Sequence, residues 1–244
     1  MKQRVITGAL MFLAVLIIFF VDNYNLNFII LGVVLYLSFK ESIQLFKLDG
    51  CEKLVFVALA FYTLSFVSNP IFCLVLAILV IVSFVAYQKS EDLNLILPFI
   101  YPSMPIFMMW AIYSQYGVGY LAWVILSVAA SDTGAYFVGK KYGHRPFSKS
   151  SPNKTLEGVL AGLFLGTVIG AMYSSYFMEN ALYCAFASFL MCAFGVFGDL
   201  FESYLKRRVD IKDSGNILPG HGGVLDRIDG YLFAAPVLLW TLSW

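Results

Sequence analysis

The chain has 244 residues, of which 60% are hydrophobic and only 13% charged, and its formal net charge is +1. Soluble domains carry roughly 45–50% apolar and about 25% charged residues, so a water-soluble fold of this composition would expose more apolar surface than its charges could cover. The near-neutral balance supplies no overall field for nucleic acid, and nucleic-acid binding is not expected.

A helix needs about 20 mostly apolar residues to cross a bilayer, with roughly 17 as a lower limit. The chain opens on Lys2 and Arg4 and then runs apolar over 5–21. No small-x-small cleavage site leads into a soluble domain, so this run reads as a retained first span and not as a signal peptide. Further spans are expected over 24–39, 54–68, 70–87, 94–113, 118–139, 158–177, 181–198 and 225–243. The second and third are short. The fifth carries Pro98, Pro102 and Pro105, which predict a kinked or broken helix. Ser151-Pro152 predicts the cap and first position of the seventh span, aiming Lys154 at the same membrane face.

With about nine spans, all 16 Lys and Arg residues fall in segments on one side of the membrane. The loops opposite, near 22–23, 69, 114–117 and 178–180, carry none. The positive-inside rule makes the basic side cytoplasmic. The expected fold is therefore all-α, a polytopic helical membrane protein with its N-terminus in the cytoplasm. Cys51, Cys73, Cys184 and Cys192 show no C-x-x-C pairing and read as small core residues.

The polar chemistry gathers between Asp199 and Asp229. If the eighth span continues as helix, Asp199 and Glu202 lie at i and i+3 on one face, and Asp226 and Asp229 repeat that spacing at the start of the ninth. Carboxylates brought together repel one another unless a cation is present, and hard cations such as Mg²⁺ take oxygen ligands. Asp132 lies inside the sixth span, where an ionisable group is costly and marks a functional candidate. Between the acids run Lys206, Arg207, Arg208 and Lys212, then P-G-H-G-G at 219–223. Glycines 220, 222 and 223 allow backbone N–H groups to approach phosphate oxygens, and the helix start that follows favours negative charge. Each group also has a structural reading, as an interfacial charge or a positive stop after a span. Together they describe polyphosphate chemistry open to the cytoplasm, suited to one soluble nucleotide and one lipid. His144 and His221 are too few and too far apart for a zinc site. Ser151-x-x-Lys154 and Ser203-x-x-Lys206 lack the companion motifs of penicillin-recognising acyl enzymes.

The ungapped run Ser203–Asp229, S-Y-L-K-R-R-V-D-I-K-D-S-G-N-I-L-P-G-H-G-G-V-L-D-R-I-D, resembles the defining motif of phosphatidate cytidylyltransferases. Upstream, S-D-T-G-A-Y at 131–136, G-K-K-Y-G at 139–143, S-P-N-K-T-L-E-G at 151–158 and G-D-L-F-E-S at 198–203 resemble family segments in the same order. The resemblance is strong over 130–235, and before residue 90 it amounts to little more than hydrophobicity. It implies N-terminal membrane helices over 1–90 and a catalytic membrane domain over 91–244. It also implies the reaction of CTP with phosphatidic acid to give CDP-diacylglycerol and pyrophosphate. Asp199, Asp226, Asp229 and Glu202 would then be Mg²⁺ ligands, with room for a second cation. Lys206, Arg207, Lys212, His221 and Arg227 would hold phosphates, and Asp132 and Lys154 would complete the site. A homodimer formed through membrane helices is implied as well, and the short N-terminus suggests a bacterial protein of the inner membrane.

A CTP-dependent polyprenol or dolichol kinase shares the membrane setting and the acidic metal logic, but the full Ser203–Asp229 match argues against it. CDP-alcohol phosphotransferases need a D-G-x-x-A-R…G-x-x-x-D-x-x-x-D pattern that is absent here. A secondary transporter would account for Asp132 and a broken fifth helix, yet it has no use for a phosphate cradle.

Overall fold

The computed structural model describes residues 13, 15–89 and 92–244. Residues 15–21 are helical, while most of the expected first span, with Lys2 and Arg4, lies outside the described residues. Of the described residues, those up to Gln115 together with Val209–Arg227 form one compact unit, and Tyr116–Arg208 with Ile228–Trp244 form the other.

In the first unit, asparagines open two helices. The Asn23 side chain accepts the Leu26 N–H and starts α1, Tyr24–Leu45. After α2, Leu54–Leu64, Asn69 accepts the Ile71 N–H and Pro70 takes the first position of α3, Pro70–Tyr87. Both caps satisfy N–H groups that have no partner inside the helix. The expected third span, 54–68, is helical over only 11 residues, roughly 16 Å at 1.5 Å per residue and about half a hydrocarbon core. The cause is local. Pro70 holds Asn69 extended (ψ 122°), and residues 65–68 turn to reach it.

The three prolines act as expected. Leu93–Ile96 is a 3-10 turn, Phe99–Ser103 is a π-turn broken at Tyr101 (φ −138°, ψ 113°), and only then does α4, Met104–Tyr116, run regularly. Pro102 has no N–H for the Pro98 carbonyl, and the Ser103 hydroxyl donates to that carbonyl instead (2.7 Å). Aromatic side chains from α1, α2 and α4 fill the unit's core. Phe28 stacks on Tyr62 at 4.5 Å, and Trp110 packs against Phe28 and Tyr24 at 4.9 Å. The polar tips of these rings are satisfied: Tyr62 donates to the Phe28 carbonyl and Trp110 to the Ser65 carbonyl.

The second unit contains α5 (Val118–Tyr142), α6 (Leu156–Ser174), α7 (Ala181–Arg208) and most of α8 (Leu225–Thr241), which enters it at Ile228. In α6, glycines 158, 162, 166 and 170 recur every fourth residue and so line one face. A Cβ at Gly158 would lie 2.7 Å from the Ala135 carbonyl, at Gly162 2.5 Å from the Ser131 carbonyl, and at Gly166 2.6 Å from the Ser127 carbonyl. α6 therefore meets α5 backbone to backbone, the small-residue packing usual in membranes. Across α5 and α7, Trp123 donates to the Ser188 hydroxyl (2.8 Å). Gly162→Val should force α6 away from α5. The expected loss is about 1–3 kcal/mol, read as a lower melting temperature of the detergent-solubilised protein, with Leu160→Val on the exposed face as the neutral control.

One expected cap is corrected. Ser151-Pro152 does not begin the seventh span. Residues 151–154 form a turn in which the Lys154 N–H bonds the Ser151 carbonyl, while Phe147 N–H bonds the Lys154 carbonyl. The cap is Thr155, extended at φ −111° and ψ 150°, whose hydroxyl accepts the Gly158 N–H. Cys73, Cys184 and Cys192 are buried and all four cysteines are free thiols, as expected of small core residues.

By length and apolarity, six helical stretches among the described residues can cross a membrane: α1, α3, Leu93–Tyr116, α5, α6 and α7. The 17-residue α8 begins with charge and contains Pro236.

Candidate active site

In the first unit the polar groups are organised by the segment ahead of α8. Leu218 N–H bonds the Gly222 carbonyl and His221 N–H bonds the Leu218 carbonyl, both at 2.9 Å, closing L-P-G-H-G into a tight loop. Gly220 (φ 77°) and Gly222 (φ 84°) occupy the left-handed region that the loop requires and that side chains disfavour. Asp226, in the first turn of α8, accepts N–H groups from Gly223 (2.8 Å) and Ser214 (2.9 Å) through one carboxylate oxygen. Arg227 spans back to the His221 carbonyl through Nε (3.0 Å) and Nη2 (2.6 Å). Beside this loop opens a cleft of about 580 Å³ edged by Lys212, Asp213, Asn216, His221 and Arg227, with Gly220 and Gly222 in its wall. The His221 Nδ1 atom is buried with no hydrogen-bond partner among the described residues.

The first unit also holds a carboxylate that sequence reasoning passed over. Glu41, near the end of α1, is only 5% exposed and takes three hydrogen bonds from this same segment. A weak signal lay in the spacing: Leu31, Leu35, Ser38, Ser42 and Leu45 are apolar or small at helical spacing and form the buried stripe of α1 into which Glu41 falls. The adjacent Lys40 is exposed, and the pair resembles ordinary interfacial charge when read along the sequence.

In the second unit, Lys154 reaches from the 143–155 loop to α7 and pairs with Asp199 at 2.5 Å. The Ser203 hydroxyl donates to the other oxygen of Asp199 (3.3 Å). One turn along α7, Glu202 is fully buried and pairs with Lys206 at 3.3 Å. α7 and α8 approach closely where Gly198 faces the backbone of Asp229. Asp132 and Asp229 each lie within electrostatic range of Asp199, and Lys206 lies near Asp229. Asp132 is exposed on α5, and Arg207 is exposed on α7.

The expected residues thus fall into two sets. Asp132, Lys154, Asp199, Glu202, Lys206 and Asp229 gather in the second unit. Lys212, Gly220, His221, Gly222, Gly223, Asp226 and Arg227 gather in the first. Among the described residues no three His, Cys, Asp or Glu converge as a ready-made metal cage. Mg²⁺ needs none, because it is commonly held by one or two carboxylates plus substrate phosphates. The all-oxygen acid set around Asp199 suits that ion.

Apolar membrane-length helices, acids set beside lysines, and a glycine-closed loop edged by cations define a membrane protein equipped for phosphate chemistry. The comparison with known families makes this specific: the chain belongs to the cytidylyltransferase family, whose model matches residues 2–244. It is 42% identical over 236 residues to a phosphatidate cytidylyltransferase of Helicobacter pylori (strain ATCC 700392 / 26695), covering 96% of this chain and 89% of that protein. It is 33% identical over 271 residues to the phosphatidate cytidylyltransferase of Bacillus subtilis, covering 100% of this chain and 98% of the relative. A Staphylococcus aureus (strain COL) phosphatidate cytidylyltransferase shares 42% identity over 125 residues, half of this chain.

Proposed function

We propose that this chain is a phosphatidate cytidylyltransferase, transferring CMP from CTP to phosphatidic acid and releasing pyrophosphate. The carrying observation is the near full-length similarity to the phosphatidate cytidylyltransferases of Helicobacter pylori and Bacillus subtilis. The Leu218–Gly222 part of the motif, closed as a tight loop beside a cleft edged by Lys212 and Arg227, adds chemical support.

A phosphate monoester oxygen of the lipid attacks the α-phosphorus of CTP, a new P–O bond forms, and the bond to the β-phosphate oxygen breaks. Pyrophosphate leaves with that electron pair. A phosphate monoester is already anionic and nucleophilic near neutral pH, so no dedicated general base is assigned. Lys212, His221 and Arg227 hold nucleotide phosphates, with Gly220, Gly222 and Gly223 supplying close backbone approach. Lys154, Lys206 and Arg207 hold phosphate charge in the second unit, and Asp132 completes that set. Metal holding is assigned to Asp199, Glu202 and Asp229 there and to Asp226 in the first unit; Mg²⁺ so bound would offset charge on the departing pyrophosphate.

The catalytic residues fall within 91–244, the domain implied by the resemblance. Orientation follows the basic side: with about nine spans, the 11-residue α2 counted as a short one, the N-terminus and site face the cytoplasm of a bacterial inner membrane. A homodimer through membrane helices belongs to the same reading. Purified protein given α-labelled CTP, phosphatidic acid and Mg²⁺ is expected to yield labelled lipid and an equal amount of pyrophosphate, and to stop on chelation with EDTA. Absence of labelled lipid sinks the reading. Transfer of a γ-label to an isoprenoid alcohol would make the chain a lipid kinase instead.

A further inference from the structure

We propose that Glu41 is a positioning residue for cytidylyl transfer: its buried carboxylate clamps both ends of the Ser214–Leu225 segment and so sets the cations of the nucleotide cleft. The inference rests on the phosphate-holding role proposed above for that segment.

The geometry comes from one carboxylate and three donors. The Ser214 hydroxyl (3.1 Å) and the Leu225 N–H (2.8 Å) donate to one oxygen of Glu41, and the Val224 N–H (2.9 Å) donates to the other. Ser214 begins the segment and is 1% exposed; Val224 and Leu225 end it, Leu225 as the first residue of α8. Glu41 thus supplies from α1 the anion that the N-terminus of α8 favours, and it satisfies N–H groups that the helix leaves unpaired. Among the described residues no Lys, Arg or His forms an ion pair with Glu41. The buried charge is held by hydrogen bonds and by the helix end, and a carboxylate so held does not tolerate loss of its donors.

The same carboxylate explains two glycines of the motif. A Cβ at Gly215 or at Gly223 would lie 2.5 Å from a Glu41 carboxylate oxygen. Asp226 closes the base of the segment locally, through Ser214 and Gly223. Glu41 ties that base to a helix more than 170 residues earlier in the chain. Lys212, His221 and Arg227 lie on or beside this clamped stretch and edge the cleft. Glu41 does not edge the cleft, so its effect passes through the backbone.

The test compares wild type, Glu41→Gln and Glu41→Asp in the full-length, detergent-solubilised protein. Glu41→Gln keeps the volume but turns an amide N–H₂ toward N–H donors. Without any substrate, amide hydrogen exchange across 213–225 should accelerate, with exchange in α5 and α6 unchanged. In the cytidylyl-transfer assay, the KM for CTP should rise about tenfold, the scale of one lost charge-assisted hydrogen bond, while the KM for phosphatidic acid stays within about twofold. Glu41→Asp retains the charge and should recover part of both effects. Unchanged exchange, or equal rises in both KM values with a general fall in melting temperature, overturns the proposal. If Glu41→Gln does not accumulate, Ser214→Ala removes one donor and should shift exchange and the KM for CTP in the same direction; no shift overturns the proposal. A wild-type protein that transfers no label defeats the functional reading, and the exchange result then still decides whether Glu41 organises the segment.

Discussion

Asp226→Asn is expected to lower turnover by at least about a hundredfold, the scale of removing one electrostatic group from a reaction site, in a protein that remains folded. The hydrogen bonds of Asp226 explain why the fold should survive the change. The Asp226 oxygen that accepts the Ser214 and Gly223 N–H groups can be replaced by the amide oxygen of Asn, so the loop keeps that acceptor while the negative charge is lost. Asp226→Ala, in contrast, strands both N–H groups, at about 1–3 kcal/mol for each buried one. It should lower the melting temperature as well as the rate. Measuring both variants separates charge from loop support. A folded Asp226→Asn protein with near wild-type turnover would remove Asp226 from the reacting machinery.

Lys154→Ala and Asp199→Asn form the second large expectation. The two side chains pair directly in the second unit, and each is assigned to phosphate or metal charge. Each single variant should lose about a hundredfold or more in kcat/KM. The double variant should fall no further than the worse single one, because groups that act as a unit give strongly non-additive losses. Fully additive losses would show that Lys154 and Asp199 serve separate tasks.

Local signals were legible where the chain dictates its own geometry. Pro98, Pro102 and Pro105 broke a helix because proline withdraws the N–H a turn needs, and the Ser103 hydroxyl now covers one consequence. The apolar runs among the described residues became helices because nothing in a bilayer but the chain itself can satisfy its backbone. Asp199 and Glu202 shared a helix because α7 continued to Arg208. Boundaries were less legible. Ser151-Pro152 looks like a cap, but Thr155 took that role once the turn at 151–154 used its own backbone bonds.

Sequence alone thus established the membrane character, the kinked fifth segment, the family motif and the residue types able to handle polyphosphate. These follow from composition, helical period and proline chemistry, all local or additive properties. Only the tertiary structure decided which polar groups meet. The four-residue glycine spacing of α6 has a meaning only against the carbonyls of α5. Glu41 looks like an interfacial charge until folding places it beneath Ser214, Val224 and Leu225. Contacts across more than 170 residues depend on how apolar helices pack, and no window along the chain contains both partners.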